Sequence, residues 1–176
     1  MQAMKTTPFD SQSKVGGHPV HPTLVVFPIA LITLAVVTDL VFFSTDGKRW
    51  ADFTVWLLVF GIGGGGVAAG VGWIDWLGLP KGSRAKSVGL YHAAVNNVAL
   101  ILAAVSLLLR VLDDNDTGVL PFLALLLSVG AIFAGGYLGG ELVYKLGVAV
   151  DREAFAAVEE QEANPGTVRP SRVVRG

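Results

Sequence analysis

The chain has 176 residues, of which 52% are hydrophobic and only 15% charged, with a formal net charge of −1 and no cysteine. Soluble domains carry about 25% charged residues, so lipid is the expected solvent. The near-neutral charge, without a basic aromatic stripe, excludes nucleic acid as a partner. The missing cysteines exclude disulfides, thiolate-held iron–sulfur clusters, covalently attached haem and a cysteine nucleophile within this chain.

Residues 1–22 form a polar N-terminal segment that ends in His18-Pro19-Val20-His21-Pro22. Met1 to Gly17 has no short apolar core followed by a small-residue cleavage site, so it does not read as a cleavable signal. The first span is expected to act as its own insertion signal. A proline after each histidine disfavours helical backbone at that histidine. The segment is therefore expected to be extended, with Pro22 near the first helical position, His21 at the lip of the span and His18 outside it.

A membrane part, residues 23–149, follows with four apolar spans at 23–43, 53–77, 88–112 and 119–145. Each is at or above the roughly 20 residues a helix needs to cross the hydrocarbon. Each is apolar nearly all round, unlike the one-faced helices of soluble bundles. The links at 44–52, 78–87 and 113–118 are short, which forces antiparallel neighbours. The predicted fold is an all-α integral membrane bundle of four antiparallel helices. Pro28 removes a backbone bond inside the first span and frees the carbonyl of Leu24, predicting a bend. Trp50 and Trp56 flank one surface and Trp73 and Trp76 the other, as interfacial tryptophans do.

Glycines repeat four apart in the second and fourth spans: Gly61 with Gly65, Gly66 with Gly70, Gly135 with Gly139, Gly136 with Gly140. Small residues at that spacing let backbones approach closely. They predict tight packing of these two spans, or space cleared for a flat ring. Beyond the spans, residues 150–176 read as a short amphipathic helix to Gln161 and then a flexible basic tail.

Lysines and arginines set the expected orientation. Lys5 and Lys14 precede the first span, Lys81, Arg84 and Lys86 lie in the second link, and Lys145, Arg152, Arg169, Arg172 and Arg175 follow the fourth. The opposite surface has Lys48, Arg49 and Arg110, beside an acidic third link. The positive-inside rule places both termini in the cytoplasm.

Antiparallel threading brings the start of the first span, the end of the second, the start of the third and the end of the fourth to one face. His18, His21, Asp75, His92 and Glu141 all fall there, with Asn96 one helical turn beyond His92 on the same side. Ionisable groups inside membrane spans are functional candidates by default. Three readings are open. Two histidines on different spans, His21 and His92, can ligate a haem b axially, with His18, Asp75, Asn96 and Glu141 as supports or substitute ligands. The same histidines with Asp75 and Glu141 offer a donor set for zinc, iron or manganese. Alternatively, His92 is a buried histidine bonded to Glu141 or Asp75, His18 and His21 cap the first helix, and Glu141 pairs with Lys145 while Asp75 pairs with Lys81 or Arg84. Asp39, near the opposite surface, has no obvious partner among these site residues and reads as an interfacial charge. No serine–histidine–acid pattern and no phosphate-binding glycine loop is visible. The sequence leans away from an enzyme without deciding the matter.

The strings HPVHPTLVVFPIAL, GWIDWL, YHAAVNNVAL and GGELVYKLGVAV resemble the bacterial membrane proteins of the domain of unknown function 2231 family, from about His18 to Val150. The resemblance implies a multi-pass protein of the bacterial cytoplasmic membrane. Members stand beside, or are fused to, electron carriers such as Rieske proteins, which implies a redox setting with other membrane subunits or electron carriers as partners. Relatives often carry further histidines where Val26 and Leu146 stand here. The functional expectations are a small haem-b electron-transfer protein, a non-catalytic accessory subunit of a membrane complex, or a histidine–carboxylate metal-binding protein.

Overall fold

The computed structural model describes residues 9–114 and 117–163. A two-stranded hairpin, β1 (Lys14–Val15) and β2 (His18–Pro19), leads into α1 (Val20–Thr45). Its turn is Gly16-Gly17, both at positive φ, the geometry that a two-residue hairpin turn requires. Then come α2 (Lys48–Gly78), α3 (Arg84–Val111) and α4 (Val119–Gly140), a π-helical turn (Glu141–Lys145), and α5 (Arg152–Ala163). The expected tail beyond Ala163 lies outside the described residues.

The chain is an all-α bundle of four helices long and apolar enough to cross a membrane. Large side chains such as Phe27, Phe60, Ile101, Leu127 and Phe133 face outward. In water such a surface would drive aggregation; in lipid it is the solvated face.

The helices run longer than the apolar runs that announce them. The clearest difference is at the start of α1, which begins at Val20, so His21 is helical rather than extended and Pro22 lies in the first turn. The first four amides of a helix have no partner inside it, so the missing N–H of Pro22 costs nothing there. Pro28 sits inside an uninterrupted α1 and is buried.

The four helices are two similar hairpins, α1–α2 and α3–α4. Buried Pro28, Ile32, Ala35 and Asp39 of α1 correspond, at one constant spacing, to buried Ala99, Ala103, Ser106 and Arg110 of α3. Buried Thr54, Leu57, Leu58, Gly61, Gly65 and Ala68 of α2 correspond in the same way to Pro121, Ala124, Leu125, Ser128, Ile132 and Gly135 of α4. Equivalent residues also meet: His21 with His92, and Asp39 with Arg110. Residues touch their own counterparts only near a two-fold axis, so the hairpins are related by a pseudo-two-fold along the bundle.

The inward glycines of α2 and α4 receive side chains from α1 and α3 rather than packing against each other. A Cβ at Gly61 would strike Ile32, one at Gly65 would strike Leu100, and one at Gly135 would strike Asn96. The core formed by Ile32, Ala35, Leu58, Ala99, Ala103, Leu125 and Ile132 is dominated by small and branched residues, which suits this close approach.

Candidate functional site

His21 and His92 line one cavity of about 450 Å³ between the two hairpins. Small-molecule and cofactor sites commonly enclose about 300–1,000 Å³. Their ring centroids are 6.2 Å apart and their planes lie at 84°. The two are held in the same way. His21 Nδ1 lies 2.9 Å from the carbonyl of Ala68, and His92 Nδ1 lies 2.9 Å from the carbonyl of Gly135. A carbonyl oxygen can only accept, so each Nδ1 carries the proton. When such a ring is neutral, its lone pair is on Nε2. One turn beyond each carbonyl is a glycine on which the ring rests: a Cβ at Gly72 would fall 2.8 Å from His21 Cε1, and one at Gly139 would fall 3.1 Å from His92 Cε1. A histidine whose Nδ1–H donates to a carbonyl is pre-oriented to ligate through Nε2.

Asn96 lines the cavity one turn beyond His92, as its spacing predicts. Its Nδ2 donates to the carbonyl of His92 at 2.8 Å. Asp75 also lines the cavity, but neither Lys81 nor Arg84 is its partner. Its Oδ1 accepts from Ser11 Oγ and from the amides of Gln12 and Ser13, each at 2.9 Å. The N-terminal segment is thus drawn across the end of the cavity. It is tied on the other side by the Ala149 amide, which donates to the carbonyl of Phe9 at 2.8 Å. The sequence reading missed this strap because its residues are polar and carry no periodic pattern.

His18 and Glu141 stand apart from the cavity. His18 is exposed on β2 and caps nothing. Glu141 accepts from Arg84 at 2.6 Å and has Lys145 at 4.0 Å. His92 is therefore bonded to a backbone carbonyl, not to Glu141 or Asp75. Among the described residues no three His, Asp or Glu side chains come together as a metal-binding group. The expected convergence of His21, His92, Asp75 and Glu141 on one ion is not formed. Val26 is 64% exposed on the outer face of α1, so a side chain there points away from the cavity. Leu146 does not line it either.

The largest departure lies at the other end of the bundle. Asp39 and Arg110, read from the sequence as interfacial charges, form an ion pair with both side chains 0% exposed. Arg110 reaches both carboxylate oxygens, at 2.9 and 2.5 Å. Thr54 Oγ1 donates to Asp39 at 3.0 Å, and Arg110 also donates to Thr117 at 2.8 Å and to Ser106 at 3.3 Å. A signal for this pair was present: Asp39 and Arg110 are 71 positions apart, the same separation as His21 and His92.

No curated protein and no solved structure matches the chain. A family model described as a predicted membrane protein, DUF2231, matches residues 17–152, which take in both histidines, the ion pair and all four spans. The chain belongs to the DUF2231 family of predicted membrane proteins.

Proposed function

We propose that the protein is a small electron-transfer component of the membrane and that His21 and His92 would hold a haem b in the cavity between the hairpins. The observation that carries this reading is the histidine pair itself. One ring comes from each hairpin, each Nδ1 donates to a carbonyl, and the centroids lie 6.2 Å apart. Two imidazoles this close, one from each hairpin, could both donate to one metal-bearing group. Two protein ligands are too few for a structural zinc site, which takes four. They suit a metal that brings its own equatorial donors, as haem does.

Ala68, Ala93 and Gly136 line the cavity with small apolar surface, and a Cβ at Gly136 would meet nothing within 4 Å. The group would supply a one-electron couple; the chain supplies the two imidazoles, their fixed orientation and a largely apolar surrounding. By the charge bias the cavity and both termini lie on the cytoplasmic side of a bacterial inner membrane.

A second reading, an accessory subunit of a membrane complex, has its own observation. Gly63, Gly66 and Gly70 share the outer face of α2 with nothing within 4 Å of a Cβ built there, a surface that admits another helix closely.

The test is a reduced-minus-oxidised spectrum of protein purified in detergent after expression with ample haem. The haem reading expects a b-type band that His21→Ala and His92→Ala each abolish or convert. No band in the wild-type protein overturns it, and a band unchanged in both variants overturns the ligand assignment.

A further inference from the structure

The buried ion pair sits where the pseudo-two-fold puts equivalent residues face to face, and this gives it a role that a single salt bridge elsewhere would not have. Two copies of the first hairpin, paired in the observed way, would bring Asp39 against Asp39. Two copies of the second would bring Arg110 against Arg110. Either arrangement buries like charges without a counter-ion, which membrane interiors and protein cores tolerate poorly. Only a first hairpin against a second hairpin satisfies both groups. The core residues Ile32, Ala35, Leu58, Ala103 and Leu125 are apolar and carry no charge that would set one hairpin against a copy of itself.

We propose that Asp39 and Arg110 are a pairing code: they make the first hairpin accept a second hairpin and reject another copy of itself. The surface so specified is the inner face of each hairpin. The partner it fits is the opposite hairpin, within one chain or, when the code is broken in complementary ways, from a second copy of this chain. Because one histidine comes from each hairpin, the code also ensures that the cavity receives one His21 and one His92. This inference stands independently of any cofactor.

The test uses full-length chains and needs no bound group. Asp39→Arg places arginine on both hairpins, and Arg110→Asp places aspartate on both. Each single variant is expected to lose the wild-type particle mass in detergent and to melt earlier. The double variant Asp39→Arg/Arg110→Asp restores the opposite charges with their places exchanged and is expected to regain wild-type mass. Co-expression of the two single variants under different tags is expected to yield a mixed complex, captured through either tag well above the level seen with two tagged wild-type chains. In that complex each hairpin finds its opposite on the other chain. Single variants with wild-type mass and melting would overturn the proposal. So would a double variant as damaged as the singles, or mixed capture no greater than wild type.

Discussion

His21 and His92 occupy equivalent places in the two hairpins and face each other across the bundle, each with Nδ1 on a carbonyl of the following helix and its ring on a glycine one turn further along. The two glycines set the position of the rings. Gly72→Ala would place a methyl group 2.8 Å from His21 Cε1, closer than packed carbons tolerate. The ring must turn off the Ala68 carbonyl. Gly139→Ala, at 3.1 Å, is milder. We expect Gly72→Ala to alter the ring environment of His21, read by nuclear magnetic resonance of labelled histidine, and Gly139→Ala to alter that of His92 less. Gly70→Ala, with nothing within 4 Å, should leave both signals in place.

The two arginine–carboxylate pairs predict opposite outcomes. Arg110 and Asp39 are sealed from solvent, so Arg110→Ala leaves a buried carboxylate uncompensated, a loss of about 3–5 kcal/mol. Arg84 is 73% exposed beside Glu141, and an exposed pair contributes about 0–1 kcal/mol. Thermal or denaturant unfolding in detergent should therefore separate Arg110→Ala sharply from Arg84→Ala. Comparable effects of the two would contradict the burial assigned to the Asp39 pair.

How much of this was legible in the sequence follows from what each feature needs. The spans were legible because a membrane demands long apolar runs, and α4 begins at Val119 as its sequence predicts. The meeting of His21 and His92 was legible because antiparallel threading alone brings those span ends together. Asp39 and Arg110 were not, because each was judged by its distance from the membrane surface rather than by its counterpart in a repeat. The repeat itself is hidden because lipid-facing positions need only be apolar. Asp75 lies at the histidine end because the second span closes there, but its hydrogen bonds come from Ser11, Gln12 and Ser13, far away in sequence, and not from Lys81 or Arg84.

Asp75 is the anchor of the N-terminal strap. Asp75→Ala removes the acceptor of three hydrogen bonds, and a bond to a charged group contributes about 1.5–3 kcal/mol. The amides of Gln12 and Ser13 are expected to exchange with solvent roughly tenfold faster or more, since tenfold corresponds to about 1.4 kcal/mol. Hydrogen exchange read by mass spectrometry across residues 9–20 checks this. Unchanged exchange there would show that the strap is held without Asp75.

Orientation has its own check. Lys14, Lys81, Arg84, Lys86 and Lys145 share the side on which α1 starts and α4 ends, so a C-terminal reporter active only in the cytoplasm should be active and one active only outside should be silent. The reverse pattern would move the cavity to the outer side.

In the proposed function His21 and His92 would together ligate a haem. Electron paramagnetic resonance of the oxidised, haem-loaded protein tests it most directly. Ligation by two imidazoles predicts a low-spin ferric signal, lost when either His21→Ala or His92→Ala is introduced. A high-spin signal in the wild-type protein, or a low-spin signal that both substitutions leave intact, would contradict ligation by this pair.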